Sequence, residues 1–167
     1  NTGNADESFA YTTSGNPGSG STALGMGDSE TVAVSHTIGS ASAAGDQSTV
    51  TFTSGSESAT ATTTTNQIYG VTISLQSTTD NGGISPGETF NAVYTVTNTG
   101  NGADTVTIDF DSDWLTGASG TTHNLAGFGG TGTATATLTA PSDAASDSSS
   151  SITGFATGSG SSGDSGP

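Results

Sequence analysis

A two-residue alternation of apolar side chains with threonine or serine runs through most of this chain. It is clearest in VTISL (71–75), VTIDF (106–110) and TATATL (133–138). Successive side chains of a strand point to opposite faces, so this period predicts strands with one buried face. Breakers such as SGNPGSGS and DNGGISPGE separate the runs, and no segment has a good helical period. The pattern therefore predicts an all-β fold built as a β-sandwich.

The apolar content is low for a folded domain. Leu, Ile, Val and Phe make up 24 of 167 residues, which falls below the roughly 20% at which a chain of high net charge tends to be disordered. Two observations oppose disorder: only 9% of the residues are charged, and the apolar residues alternate. Further strands are predicted in Glu30–Ile38 (ETVAVSHTI), around Val50 and Phe52, in Phe90–Val96 and, less clearly, in 151–157.

The charge composition excludes several classes of function. The chain has no Lys, Arg or Cys, and it has 15 acidic residues and two His. It therefore has no cations with which to bind nucleic acid or anionic membranes, and no thiols for disulfides or Cys-ligated metals. No apolar run reaches the length of a membrane span, so membrane insertion is not expected. Since the sequence has neither an initiator Met nor a signal peptide, we expect a processed mature chain or a fragment.

The chain contains an internal repeat. The letters NTGN occur at Asn1 and again at Asn98, with Ala-Asp directly after the first and after one further Gly in the second, and Leu24–Ile38 matches Ala126–Ala140. Ser42–Phe52 matches Asp143–Phe155 with a short insertion, so 1–65 and 98–160 are two copies of one segment. The strand-like run GETFNAVYTVT leads only into the second copy. The expected domains are a partial module at 1–67, which lacks its first strands, and a second module at 68–167 with a Gly/Ser-rich tail.

The second copy resembles a known family of surface repeats. ISPGETFNAVYTVTNTGNGADTVTIDF, followed by DW, a Gly-rich turn, alternating Thr and APSDAASDSSSSITGFAT, is similar to bacterial and archaeal Ig-like repeats of the CARDB-like cell-adhesion type. The resemblance covers about 68–160 well and 1–67 in part. It implies Ig-like seven-strand sandwiches in tandem, outside the cell or on its surface, that act as spacers, adhesin stalks or components of walls and filaments.

Neither copy is expected to be complete. The first lacks two initial strands, and the second lacks its last strand. A missing strand leaves unpaired backbone groups and uncovered core, which strand exchange with a neighbouring chain can satisfy. A head-to-tail contact between identical subunits that does not close gives a filament. The segments expected at such interfaces are Asn1–Tyr11, Glu57–Leu75 and the C-terminal GSGSSGDSGP. Two alternatives remain: a piece of a longer tandem array, and the packing of both copies into one larger sandwich.

A few side chains are candidates for chemistry. Asp109, Asp111 and Asp113 are spaced by two, so a strand would place them on one face, where calcium could hold them together or where they form a solvated acidic edge. Asp80 and Asp104 could supply further ligands. His36, in a strand pattern, His123, in a turn, and Trp114, as a core residue, are expected to be structural. No residue is proposed to be catalytic, so the chain is not expected to be an enzyme, and no cofactor is expected apart from calcium at the aspartates.

The sequence therefore predicts a structural subunit of an extracellular filament, pilus-like fibre or sheath, assembled from identical subunits by donor-strand β-augmentation. The first alternative is a fragment of a tandem Ig-like adhesin or cell-surface stalk, which calcium could stiffen. The second is an accessory sandwich domain of a secreted carbohydrate-active enzyme, although the chain offers few aromatic residues for a sugar-binding platform.

Overall fold

The protein is all-β. The structure, a computed structural model, describes residues 1–80 and 82–166. Within these residues there is no helix, and so none that is long and apolar enough to cross a membrane. The strands are β1 (Glu7–Thr13), β2 (Ser19–Leu24), β3 (Gln47–Ser54), β4 (Glu57–Thr64), β5 (Val71–Thr78), β6 (Thr89–Asn98), β7 (Asp104–Asp111), β8 (Leu115–Ser119), β9 (Thr122–Leu125), β10 (Gly130–Thr139), β11 (Thr153–Thr157) and β12 (Ser162–Asp164).

The strands form three antiparallel sheets of four strands each, in two compact units. The first unit is Asn1–Asn66, and the second begins at Gln67. The first unit contains one sheet, with the strand order β2-β1-β3-β4. The second unit contains the other two, with the orders β5-β6-β10-β8 and β12-β11-β7-β9.

The second unit is a two-layer, sandwich-like arrangement with a core between its sheets. Alternate side chains of β6, β7 and β10 are buried because the two-residue period places their apolar residues on one face. The Tyr94 ring, from one sheet, contacts the Phe110 ring, from the other, at 5.1 Å between centroids. The largest fully buried side chains of this core are Tyr94, Ile108, Leu138, Val96, Val106 and Asn98.

The β5–β6 strand pair supplies half of one layer of that sandwich. β6 pairs with β10 over its whole length, from Thr89 opposite Thr139 to Asn98 opposite Gly130. β5 lies on the outer side of β6 and carries the buried residues Val71 and Ile73. β6 therefore pairs with the backbone N–H and C=O groups at one edge of β10, and the β5–β6 pair packs on the sheet beneath it.

The single sheet of the first unit repeats one sheet of the second. The order β2-β1-β3-β4 corresponds to β9-β7-β11-β12, with each strand in the same sequential place and all pairs antiparallel. The first unit has no second sheet, because it lacks strands that correspond to β5, β6, β8 and β10. As a result, none of the residues 1–66, all of which the structure describes, is fully buried.

Three expectations from the sequence were wrong. Glu30–Ile38 is not a strand, apart from one isolated bridge at Ser35, since no strand lies beside it in the place that β6 holds beside β10. The second copy does have a last strand, β12, although it is only 3 residues long. His123 lies in β9 and not in a turn.

Candidate functional site

The first sheet carries an apolar face that the chain covers only in part. Phe9 and Tyr11 on β1 and Phe52 on β3 are half-buried on this face, and the Tyr11 and Phe52 rings stack at 5.2 Å. Together with Leu24 and Val32 they line an open groove of about 430 Å³. Aromatic surface left in contact with water is a common feature of sites at which another protein binds.

The corresponding face of the second unit shows what covers such a sheet. A Cβ atom placed on Gly154 of β11 would lie 3.1 Å from Ile73 Cδ1 and 3.3 Å from a ring carbon of Tyr94. A Cβ atom on Gly163 of β12 would lie 2.9 Å from the carbonyl oxygen of Val71. β5 and β6 are therefore in van der Waals contact with β11 and β12. β3 and β4 correspond to these strands, and Asn1–Asn66, all of which the structure describes, contains no second sheet to pack on them.

The segment Glu30–Ile38 forms one border of this open face. Val32 lines the groove, and Glu30 accepts a hydrogen bond from the Thr22 hydroxyl on β2. Asn16 N–H donates to the Ser35 carbonyl at 2.8 Å, and Ser35 N–H donates to the Asn16 carbonyl at 3.0 Å. Ser35 directs both of its polar groups to Asn16. Where the backbone beside this bridge is extended, the groups of the neighbouring even-numbered residues, Val34 and His36, are directed to the opposite edge. That edge corresponds to the one that β6 pairs with in the second unit.

The free edge of β4 is a second open feature of the first unit. All eight residues of β4 are exposed, including Ala59 and Ala61, which lie opposite Phe52 and Val50 of β3. No bulge interrupts its pairing with β3 from Ser54–Glu57 to Gln47–Thr64. An uninterrupted edge strand without Pro or Lys is a ready template for pairing with another strand.

The three segments expected at interfaces differ from one another in how far their strands are already paired. In Asn1–Tyr11, the strand β1 is central to its sheet, because it pairs with both β2 and β3. In the C-terminal segment, β12 pairs with β11. In Glu57–Leu75, β4 is an exposed edge strand, whereas β5 is already paired with β6. Of these segments, β4 is the strand with a fully exposed side.

The three expected metal ligands do not form a closed cluster. Asp109 and Asp111 lie on β7 and Asp113 lies in the turn after it, and all three are exposed. Within residues 1–80 and 82–166, no three His, Asp or Glu side chains lie close enough to hold one metal ion. Asp104 has a different role, because it is buried and accepts hydrogen bonds from Ser159 N–H and Oγ. Calcium binding at the exposed aspartates stays a prediction.

The remaining candidate residues make ordinary structural contacts. His36 is exposed and hydrogen bonded to the Ser48 hydroxyl, and His123 Nε2 lies 2.9 Å from the Thr133 carbonyl oxygen. Trp114 is half-buried against the core of the second unit. With Phe90, it also lines a wide concavity of about 900 Å³. Since one side of Trp114 packs on the core, it does not stand free as a stacking platform.

Tyr94 is the titratable group that burial perturbs. Desolvation raises the pKa of its hydroxyl above the ordinary value of 10.0, and a hydrogen bond with the Ser165 side chain opposes this shift. The Tyr94 hydroxyl donates to the Ile152 carbonyl at 3.3 Å. This tyrosine therefore stabilises the core of the second unit in its neutral form.

Comparison of the chain with protein-family models, with curated proteins and with solved structures finds no match. The resemblance to Ig-like surface repeats therefore stays a prediction from the sequence.

Proposed function

We propose that this chain is a structural subunit of an extracellular filament, pilus-like fibre or sheath, in which a neighbouring identical copy completes the first unit by β-augmentation. The observation that supports this proposal is the repeated sheet. The same four-strand order occurs twice, and a second sheet, half of which is the β5–β6 pair, accompanies it in only one of the two units. The Ig-like character of both units, and their place outside the cell, belong to the same proposal.

The acceptor in this proposal has two parts. The even-numbered backbone groups of Glu30–Ile38 offer a pairing edge, and the half-buried Tyr11 and Phe52 offer an apolar floor. The donor is the β5–β6 pair of the neighbouring copy, because this pair satisfies both needs within the second unit. Strand donation from one copy to the next is a heterologous contact, which extends into a fibre when it does not close.

The number of strand pairs limits how such a fibre is stabilised. The described residues contain one β5–β6 pair and two sheets of the kind that this pair helps to cover. Donation to a neighbour therefore closes the neighbour's first unit and opens the donor's second unit. Because the apolar area buried by this exchange nearly balances, the fibre needs further contacts between copies, and its assembly should depend steeply on protein concentration.

Electron microscopy of the purified chain at neutral pH, with and without Ca²⁺, tests the proposal directly. We expect regular fibres with one chain per repeat and with strands of each chain lying in the sheet of its neighbour. Dispersed single chains at all concentrations would contradict a filament.

A disulfide test identifies the donor strand. Ala33 corresponds to Thr135 in the repeat, and Thr135 lies opposite Val93 of β6. The chain has no cysteine, so the double variant Ala33→Cys, Val93→Cys brings a thiol of one copy close to a thiol of the next where β6 of one lies beside Glu30–Ile38 of another, and disulfides then link the copies in series. We expect a ladder of multimers on a non-reducing gel. The matched controls Ala33→Cys and Val93→Cys alone stop at dimers, and the absence of a ladder above the controls rejects β6 as the donor.

A second function is favoured by the repetition within one chain. Two units that contain the same sheet are the arrangement expected in a tandem adhesin stalk, in which covalently joined repeats complete one another. Native mass spectrometry of the protein isolated from its source separates the two functions. A mass close to 16.0 kDa favours the filament subunit, and a much larger single polypeptide favours the stalk.

A further inference from the structure

We infer that two copies of this chain pair through their β4 edges, antiparallel and across a twofold axis, to form one continuous eight-stranded sheet. The inference depends on the edge of β4 and not on donation of the β5–β6 pair. It also provides a contact that copies gain only when they associate, which exchange of that pair does not provide.

Among the edge strands of the described sheets, β4 is the long one without protection. β9 and β12 have 4 and 3 residues. The pairing of β5 shifts register between Leu75 and Ser77, and the pairing of β8 shifts where its partner passes from Thr137 to Leu138. On β2, the Asn1 side chain donates to the Leu24 carbonyl at 2.9 Å. Short strands, bulges and occupied edges all hinder pairing with a second chain, and β4 has none of them.

The direction of the polar groups of β4 defines the pairing. β3 and β4 are joined by the two-residue turn Gly55–Ser56, and the pair that flanks such a turn, Ser54 and Glu57, exchanges hydrogen bonds. The odd-numbered residues of β4 therefore bond to β3. Thr65 continues this pattern, since it bonds inward to Asp46 and Gly45. The N–H and C=O groups of Ser58, Thr60, Thr62 and Thr64 are directed outward.

One register uses all four outward residues. When Ala61 lies opposite Ala61 of the second copy, Ser58 faces Thr64 and Thr60 faces Thr62, and each of these pairs brings outward polar groups together. The Ala61 pair is then of the non-hydrogen-bonded kind, in which the side chains approach most closely. Opposed residues point to the same side of a sheet, so the open apolar faces of both copies lie on one side of the joined sheet.

Charge selects a second copy of this strand and its antiparallel direction. The chain has a net charge of −15, so most contacts between copies bring carboxylates together. β4 carries one acidic residue, Glu57, at its end. In the antiparallel register the two Glu57 residues are eight positions apart, or about 26 Å, whereas a parallel in-register pair would place them about 4.8 Å apart. The Ser, Thr and Ala residues of β4 are uncharged, so two copies can pair along this edge without bringing carboxylates together.

Single-cysteine variants of the full chain test this pairing. Ala61→Cys places two thiols in a non-hydrogen-bonded pair, with Cβ atoms about 4.5–5.5 Å apart, close enough to oxidise after a small adjustment. The matched control is Ala59→Cys, because Ala59 is also exposed and also lies on β4. In the inferred register, its two thiols are about 13 Å apart. We expect several-fold more disulfide dimer from Ala61→Cys. Equal dimer from both variants, or none from Ala61→Cys, overturns the inference.

A proline variant gives an independent test. Proline removes the outward N–H of Thr62 and no bond to β3, so a β-sheet edge tolerates it. Added to Ala61→Cys, Thr62→Pro should abolish the dimer, and Thr62→Val should keep it, with circular dichroism confirming the fold of each. A dimer that survives Thr62→Pro overturns the inference. Fibres without β4 dimers would reject this edge contact and leave the filament proposal standing, and β4 dimers without fibres would do the reverse.

Discussion

Asn16 and Ser35 exchange both of their backbone hydrogen bonds, at 2.8 and 3.0 Å. These are the backbone bonds that Glu30–Ile38 makes within the described part of the chain. The same stretch of the repeat in the second unit is β10, which is paired along its length with β6 and also with β8. One apolar pattern therefore gives a strand in one unit and a nearly unpaired extended segment in the other.

The same Val→Ala substitution should lower the free energy of unfolding of the two units by different amounts. Val50 of the first sheet is half-buried, whereas Val106 of the second unit has an exposed fraction of 0%. Val106→Ala removes fully buried methyl groups and should lower the free energy of unfolding of the second unit by about 2 kcal/mol or more. Val50→Ala should cost well under about 1 kcal/mol in the unassembled chain, because the site is already open to water.

Amide hydrogen exchange measured by NMR follows both units in one sample. A cost for Val50→Ala equal to that of Val106→Ala would show that the first unit has a closed core. In assembled fibres the cost of Val50→Ala should rise, since completion of the sheet buries this side chain.

Glycine at 154 is required by the closeness of the two sheets. A methyl group there meets Ile73, Tyr94 and Phe110 at 3.1 to 3.3 Å. Gly154→Ala should therefore lower the unfolding free energy of the second unit by about 1–3 kcal/mol, as overpacking does. Gly117→Ala on β8 is the matched control, because its methyl group would meet only Thr137, at 3.9 Å. Urea unfolding followed by Trp114 fluorescence measures both, and equal stability of the two variants would contradict this packing.

The second unit should lose stability at alkaline pH through Tyr94. Burial raises the pKa of Tyr94 in the folded state above its unfolded value of about 10. Below that value both states hold the proton, and the contribution is fully present. Above it the unfolded chain releases the proton more readily, so stability falls as pH rises through the folded pKa.

Tyr94→Phe provides the control for that loss. The variant should weaken the second unit slightly at pH 7, by about 1 kcal/mol, because the hydrogen bond to the Ile152 carbonyl is lost. It should also flatten the decline above about pH 10. Urea unfolding over a series of pH values measures both effects. An alkaline decline as steep in Tyr94→Phe as in the parent chain would assign the effect to other groups.

Association between copies should increase with salt. The chain has 15 carboxylates from Asp and Glu and no Lys or Arg, which gives a net charge of −15. Copies therefore repel one another at low ionic strength. Screening shortens the range of this repulsion to about 10 Å at 0.1 M salt. Light scattering should rise with NaCl at fixed protein concentration. A response to Ca²⁺ far above that expected from ionic strength would indicate binding at carboxylates, and a flat response to both would contradict repulsion as the barrier.

The sequence predicted the strands whose apolar periodicity and neighbours agree. β5, β6, β7 and β10 all lie where the alternation places them. β12 could not be predicted, because Ser162–Asp164 has no apolar pattern and becomes a strand only by pairing with β11. The open groove around Phe52 was not visible either, since it is lined by residues from several segments that are distant in sequence.

The amino-acid sequence by itself determined the all-β class, the acidic and cysteine-free chemistry and the presence of a repeat, because composition and a two-residue period are local properties. The tertiary structure alone decided which copies of the pattern become strands and which face stays open. A strand is completed by hydrogen bonds to another strand and by a layer that covers its apolar face. Glu30–Ile38 and Gly130–Thr139 share a pattern, and only the second has β6 beside it.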